Sequence, residues 1–337
     1  MSSSWRGRNC LVTGGSGFGG AHLCVQLLTR GANVHVYDRV LPPSSYLRLQ
    51  HLENDVNYIA GDIRDHEFLK LTLARLQIDT IFHVAAQPIV PISNEVPWET
   101  LSVNVAGTFS VLEAMRTSRH VQRLIFASSG AYYGATTTDQ AIPEDAAPLD
   151  ATNIYASSKV AGDIVARAYA RIYGLKIATC RFMNTYGPGD LNFSRIVPRA
   201  IANLMNNKAY DFGSRDDGSS GLDFLFISDM ADAYIKTAER LEEHSGDAFN
   251  FGSGQPTQIR KLTETLSHLF DGKHRNAIFS GPKKSKPAIK YLDTQKTNTL
   301  LDWSPSITLA DGLQQTLDWY REHWSIIGKY AHDLSSQ

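Results

Sequence analysis

Cysteine is scarce in this sequence, with three in 337 residues. Cys10, Cys24 and Cys180 are far apart and form no Cys-x-x-Cys pair. That excludes a disulfide scaffold and a cysteine-built zinc site, and makes a reducing cytoplasm the expected setting. An excess of one charge is also missing: Lys plus Arg total 33 and Asp plus Glu 34, for a net charge of −1. A broad basic face for nucleic acid is therefore not expected. A local basic pocket for a phosphorylated small molecule is still compatible with that balance. No apolar run approaches the roughly 18–20 residues of a membrane span. Nor does an apolar stretch follow the charges of Met1-Ser2-Ser3-Ser4-Trp5-Arg6-Gly7-Arg8, so no signal peptide is expected. No metal-ligand spacing is present, and Asp216-Asp217 in a glycine-rich loop reads as a solvated turn.

What is present is a rhythm. Asn9-Cys10-Leu11-Val12, Asn33 to Tyr37, Val56 to Ala60, Thr80 to Val84, Leu124 to Ala127 and Lys176 to Cys180 are short β-like runs. Helical patterns lie between them, at Ala21 to Arg30, Trp98 to Arg116 and Tyr155 to Tyr173. Strands alternating with helices predict an α/β fold, a doubly wound parallel sheet of Rossmann type. After about Asn184 the rhythm breaks into a smaller mixed α/β lobe at the C-terminal side. It has helices expected at Val197 to Asn206, Ile259 to Phe270 and Leu309 to Trp324. The expected division is 1–184 for the first lobe, with 222–252 returning to it, and 185–221 plus 253–337 for the second.

Thr13-Gly14-Gly15-Ser16-Gly17-Phe18-Gly19-Gly20 follows the first strand and opens the first helix. Gly14, Gly17 and Gly20 permit a tight turn and close approach of backbone to a pyrophosphate. The helix N-terminus adds free N–H groups and a positive dipole end. Asp38 ends the second strand, 24 residues after Gly14. A carboxylate there accepts ribose hydroxyls and repels a 2′-phosphate, which favours NAD over NADP. Asp62 and Ile63 after the third strand suit a turn beside the adenine. Ala85 and Ala86 after the fourth leave room for backbone contact with the cofactor. Asn104 completes the cofactor side, tying its helix to the active-site strand.

Tyr155-Ala156-Ser157-Ser158-Lys159 opens a helix, and positions four apart share a face. A nearby ammonium lowers a phenol's pKa, so Tyr155 can serve as a general base. Ser128-Ser129 ends the fifth strand, where open α/β sheets bind ligands. A hydroxyl there can relay a proton to Tyr155.

Together these runs resemble the extended short-chain dehydrogenase/reductase family, in particular its nucleotide-sugar epimerases and dehydratases. The likeness covers nearly the whole chain. It includes the glycine turn, Asp38, Gly61-Asp62, His83-x-Ala85-Ala86, Asn104-x-x-Gly107-Thr108 and Ser128-Ser129. Tyr155-x-x-x-Lys159, Arg181-x-x-Asn184-x-Tyr186-Gly187-Pro188-Gly189 and Leu301-Asp302-Trp303-Ser304-Pro305 extend it. The resemblance implies NAD as cofactor and Ser129, Tyr155 and Lys159 as the catalytic group. It implies a nucleoside-diphosphate sugar as substrate, met by Gln87, Ser128, Ser129, Asn184, Asn192, Arg195 and Val197. It also implies a homodimer through the helices Trp98 to Arg116 and Tyr155 to Tyr173.

Two departures bear on the reaction. Dehydratases of this family place an acid and a base after the serine or threonine, to eliminate water across carbons 5 and 6. Gly130 and Ala131 occupy those positions here, as small residues do in 4-epimerases. Leu222 stands where the family carries an arginine for substrate phosphate, leaving Arg215, Arg195, Lys286 or Lys290 to supply the charge. The leading expectation is an NAD-dependent epimerase acting at carbon 4 through a transient 4-keto sugar. A dehydratase of CDP-glucose type or a decarboxylase-like enzyme with rearranged acid and base is the first alternative. A non-catalytic NAD(H)-binding protein is the second.

Overall fold

The computed structural model describes residues 5–134, 140–148, 151–214 and 216–331. Six strands come early: β1 (Asn9–Thr13), β2 (Asn33–Asp38), β3 (Asn57–Ala60), β4 (Thr80–His83), β5 (Arg123–Ala127) and β6 (Ile177–Phe182). A seventh, Ala248–Phe251, arrives much later. The sheet order is Ala248–Phe251, β6, β5, β4, β1, β2, β3, and every pairing is parallel. Leu11, Val12, Ile81, Phe82, Leu124 and Ile125 are fully buried, as a sheet covered on both faces requires. The chain runs outward from β1 to β3, then restarts at β4 and runs the other way. That reversal leaves a crevice at the carboxyl ends of β1 and β4, where such sheets take ligands.

On one face, α1 (Phe18–Thr29) packs against Ile227–Glu239. The other face carries His66–Arg75, Gly107–Thr117 and Ile154–Tyr173. The last of these has clear ends. Asn153 caps it by accepting from the Ala156 amide at 2.8 Å, and Gly174 closes it in the left-handed region. The expected single helix Trp98 to Arg116 is interrupted. Pro97–Leu101 and Gly107–Thr117 flank a π-helical stretch, Ser102–Ala106. Asn104 in that stretch accepts from the Gln87 amide at 2.7 Å and donates to the Gln87 carbonyl and the Ser158 hydroxyl. Such widened turns gather at functional sites, and these tertiary bonds are invisible to helical periodicity.

The outer lobe holds a three-stranded sheet of Thr257–Gln258, Gly221–Leu222 and Ile289–Lys290, in that order. Thr185–Tyr186 pairs with Leu225–Phe226 beside it. Leu222 thus lies in the outer sheet, and the chain rejoins the main sheet through Ile227–Glu239 and Ala248–Phe251. Helices Ile196–Met205, Ile259–Asp271 and Leu309–Ile327 complete the lobe. Trp319 and Tyr320 of the last helix are buried, as expected of core aromatics. Among the described residues no helix is long and apolar enough to cross a membrane.

One ionic pair lies in the core. Arg181 on β6 meets Asp163 of Ile154–Tyr173 through two parallel bonds of 2.8 and 2.9 Å, both side chains 0% exposed. Asp163 also accepts from Ser128 at 2.7 Å and Arg167 at 2.9 Å. Arg181 further donates to the Tyr133 hydroxyl at 2.7 Å and the Glu144 carbonyl at 2.9 Å, and lies 3.6 Å from the Tyr132 ring centroid. Burial opposes the Arg181 charge, and the Asp163 carboxylate more than offsets it. Removing one partner of such a pair costs about 3–5 kcal/mol, because the other charge stays buried without it. Arg181→Met should therefore lower the unfolding free energy by about 3 kcal/mol. Urea titration followed by circular dichroism measures this, and a change below about 1 kcal/mol, the scale of a surface pair, would refute it.

Candidate active site

The glycine turn sits at the head of the crevice. Gly14 has φ +71°, and a Cβ there would lie 2.7 Å from the Ala85 Cα. At Gly20 a Cβ would come 2.2 Å from the Gly14 carbonyl oxygen. Both positions need glycine to keep the turn tight. Gly17 is the N-cap of α1 and brings no side chain to its free N–H groups, and Phe18 begins the helix. The α1 N-terminus therefore stands open to an anion.

Asp38 closes β2 beside this turn. Its carboxylate accepts from the Ser16 hydroxyl and amide, and from the Arg39 amide at 2.8 Å. Arg39 itself turns to Glu99, which also pairs with Arg64, and Arg64 holds Asp62 at 2.5 Å. Asp62 thus spends its carboxylate on Arg64 and keeps a lowered pKa for that reason. Ile63 is buried, 2.6 Å from where a Gly107 Cβ would stand. The Ala85 amide donates to Thr13 at 3.2 Å, and Ala86 follows it at the open end of β4. His83 is a satisfied core histidine, bonded to Thr13 at 2.8 Å and Thr108 at 3.1 Å. Burial, with the Lys159 cation adding to it, pushes the ring down to about 3.

Ser129, Tyr155 and Lys159 converge on the far side of the crevice. Burial holds the Tyr155 phenol above its ordinary value, and a hydrogen bond with Ser129 and the Arg195 cation offset part of that rise. Lys159 is buried, and its ammonium donates to the Ala127 carbonyl at 2.8 Å. Burial pushes that ammonium down to about 8, against the pull of Asp163. Ser128 is not brought into this group, since its hydroxyl is committed to Asp163. Asn104 and Gln87 lie together, with the Gln87 side chain folded onto the Ile89 backbone.

A cleft of about 360 Å³ opens in the outer lobe, lined by Asn184, Arg195, Val197, Arg199, Leu222 and Phe224 among others. Asn184 donates to the Asp223 carbonyl at 2.9 Å. Asn192 accepts from the Ser194 amide and hydroxyl, shaping the loop before Ile196–Met205. Arg195 pairs with buried Asp190 at 2.9 Å. Lys290 is Leu222's partner in strand register, and its ammonium reaches the Gly134 carbonyl at 2.5 Å. Burial pushes that ammonium down to about 8. Lys286 lies on an exposed loop, and Arg215 lies outside the described residues. Lys284 bonds Asp216 and Ser220. Ser16, Asp163, Asp190 and Arg199 escaped the sequence reading. Asp163 and Arg199 carried a signal, since they fall four residues after Lys159 and Arg195 respectively.

The model of the NAD dependent epimerase/dehydratase family matches residues 10–252. The chain belongs to that family. A dTDP-D-glucose 4,6-dehydratase of Bos taurus is 28% identical over 332 residues, covering 94% of this chain and 90% of that protein. A UDP-glucose 4-epimerase of Thermotoga maritima, solved with UDP-glucose, superposes with a TM-score of 0.84 at 27% identity, covering 94% of this chain and 99% of that one. A dTDP-glucose 4,6-dehydratase of Streptomyces venezuelae, solved with NAD, gives 0.83 at 28%, covering 94% and 98%. The family member described here is thus an NAD-dependent nucleotide-sugar epimerase or dehydratase. Its crevice suits the cofactor: two glycines keep the turn tight, the helix N-terminus beside it carries no side-chain cap, and the Asp38 carboxylate closes the neighbouring strand. Loss of a charged hydrogen-bond partner costs about 1.5–3 kcal/mol. Asp38→Ala should accordingly weaken NAD binding by about 10- to 100-fold, measured by calorimetry. Unchanged affinity would remove Asp38 from the cofactor site.

Proposed function

We propose that the protein is a nucleotide-sugar epimerase acting at carbon 4. The observation that carries this reading is the pair of residues after Ser129. Gly130 is buried and brings no side chain to that position, and a Cβ there would lie 2.6 Å from the Met183 sulfur. Ala131 follows with a methyl group. The nearby Glu144 is occupied with the Asn250 amide at 3.0 Å. An elimination across carbons 5 and 6 needs a proton donor and acceptor there, whereas epimerisation at carbon 4 needs only the Ser129, Tyr155 and Lys159 group.

In this reading Tyr155, as phenolate, takes the proton of the C4 hydroxyl, with Ser129 bridging the two oxygens. The bound cofactor supplies the acceptor, and then the donor, of the hydrogen at carbon 4. Gly14, Gly17, Phe18, Gly20 and Asp38 hold it, with Ala85, Ala86, Asp62 and Ile63 lining its path and Asn104 bracing Gln87. Lys159 fixes the ribose next to the reacting ring. The resulting 4-keto sugar turns within the site, Tyr155 returns its proton to the reformed alkoxide, and the C4 configuration is inverted. Asn184, Asn192, Arg195 and Val197 hold the nucleotide portion.

Incubation with UDP-, dTDP-, CDP- and GDP-sugars, followed by NMR, tests this. A C4-inverted sugar is expected, and a 4-keto-6-deoxy product alone would establish the dehydratase reading instead. Tyr155→Phe should cut turnover by about 10²–10⁴. Ser129→Ala should shift the ascending limb of the pH profile upward, because Ser129 lowers the phenol's pKa and its loss leaves burial less opposed.

We infer also a homodimer. Trp98 is 83% exposed, Phe109 39% and Ile164 46%. They lie on three neighbouring helices, Pro97–Leu101, Gly107–Thr117 and Ile154–Tyr173. A second copy of the same face would cover them, each large apolar side chain gaining about 1.5–3 kcal/mol on full burial. Trp98→Glu together with Ile164→Glu should give a monomer by light scattering. A wild-type protein that is already monomeric would overturn this assignment.

A further inference from the structure

The cleft continues past Arg195, and its far end has a chemistry of its own. Arg195 is the N-cap of Ile196–Met205, and Arg199 lies one turn further along. Residues four apart on a helix are neighbours on one face, and both arginines line the cleft. Their charges are placed differently. Arg195 is paired with Asp190. Among the described residues, Arg199 meets no carboxylate within ion-pair distance and its side chain makes no hydrogen bond. Its guanidinium lies over Gly213, where an added Cβ would stand 3.7 and 4.0 Å from the two terminal nitrogens.

The walls beside it are flat and apolar. Phe212 stacks on Phe279 with ring centroids 5.1 Å apart and planes 19° from parallel, and Phe224 and Ile259 also line the cleft. Asp216 is the carboxylate at this end, and it is already engaged. It accepts from the Gly218 amide, the Ser220 amide and hydroxyl, and the Lys284 ammonium. The far end therefore offers a donor-only fork next to planar aromatic walls.

The order along the cleft is set by Asn184, which lines it two residues past the end of β6, the strand paired with β5 and so beside Ser129. A nucleoside-diphosphate sugar with its sugar at Tyr155 brings its diphosphate to Arg195 and the free N–H groups of Ile196 and Val197. Its base then arrives at Arg199. We propose that Arg199 reads the nucleobase, donating two parallel N–H bonds to a carbonyl oxygen and an adjacent ring nitrogen. This rests on the cleft being the nucleotide-sugar site. Cytosine offers that pair as O2 and N3, and guanine as O6 and N7. Uracil and thymine carry an N–H between their carbonyls, so they satisfy one bond and leave the fork half used. A partly buried donor without a partner is costly, which turns the mismatch into selectivity.

Calorimetric titration of the NAD-loaded protein with UDP, dTDP, CDP and GDP tests this. CDP or GDP should bind about tenfold or more tighter than UDP and dTDP, the scale of one bidentate base contact. Whichever of the two binds tighter names the base. Arg199→Ala should erase that margin, while UDP and dTDP lose far less. Arg199→Lys, which keeps the charge and lacks the fork, should erase it as well. A wild-type protein that ranks the four nucleotides equally would overturn the role of Arg199 and leave the nucleotide site standing. Equal weakening of all four by Arg199→Ala would do the same, as a plain phosphate contact. Failure of all four to bind would remove both the site and the role.

Discussion

The contact between Asp163 and Arg181 is the constraint on which the catalytic side of the molecule depends. It joins the helix that carries Tyr155 and Lys159 to β6. It draws Ser128 to the same carboxylate, which fixes the end of β5 and hence the start of Ser129. The remaining nitrogen of Arg181, Nη1, reaches both Tyr133 and Glu144, and Tyr133 donates onward to Asn250 of Ala248–Phe251. A buried charge pair brings little stability in itself, because desolvation consumes most of the attraction. What it supplies here is geometry. Two rigid donors facing two acceptors admit one arrangement of helix and strand, and the catalytic hydroxyls inherit it.

A near-neutral chain makes its anion sites by local means. At the cofactor end the means are backbone groups at the head of α1 and a turn too narrow for side chains. At the proposed substrate end they are Arg195, tempered by Asp190, and the first N–H groups of Ile196–Met205. Leu222 adds no charge to the cleft wall, and Lys290 beside it spends its ammonium on the Gly134 carbonyl. In the proposed reading, anion binding in this lobe thus rests on the head of one helix rather than on a spread of basic loops.

Much of this was legible in the sequence because it is local. The glycine turn, Asp38 at the end of its strand, and Tyr155 four residues from Lys159 each declare themselves within a few residues. The parallel sheet followed from alternation of apolar runs and helical periodicity. What was not legible depends on partners far along the chain. The π-helical stretch at Asn104 is tied down by Gln87 and Ser158. Ser128 looks like a second active-site hydroxyl until Asp163, 35 residues on, is seen to claim it. The surroundings of the Lys159 ammonium were hidden for the same reason. Spacing brings Lys159 to the right face of the helix, but only packing shows its ammonium on the Ala127 carbonyl.

The late position of the strand Ala248–Phe251 has a consequence for synthesis on the ribosome. Its sheet neighbour, β6, ends at Phe182, so dozens of residues must emerge before that edge is covered. Until then β6 presents a row of unpaired backbone groups, a template for joining another nascent chain. The same strand brings Asn250 to Tyr133, so the polar network behind the active site closes only when the edge does. Maturation of the active site and protection from aggregation are therefore one event, timed by the arrival of a four-residue strand.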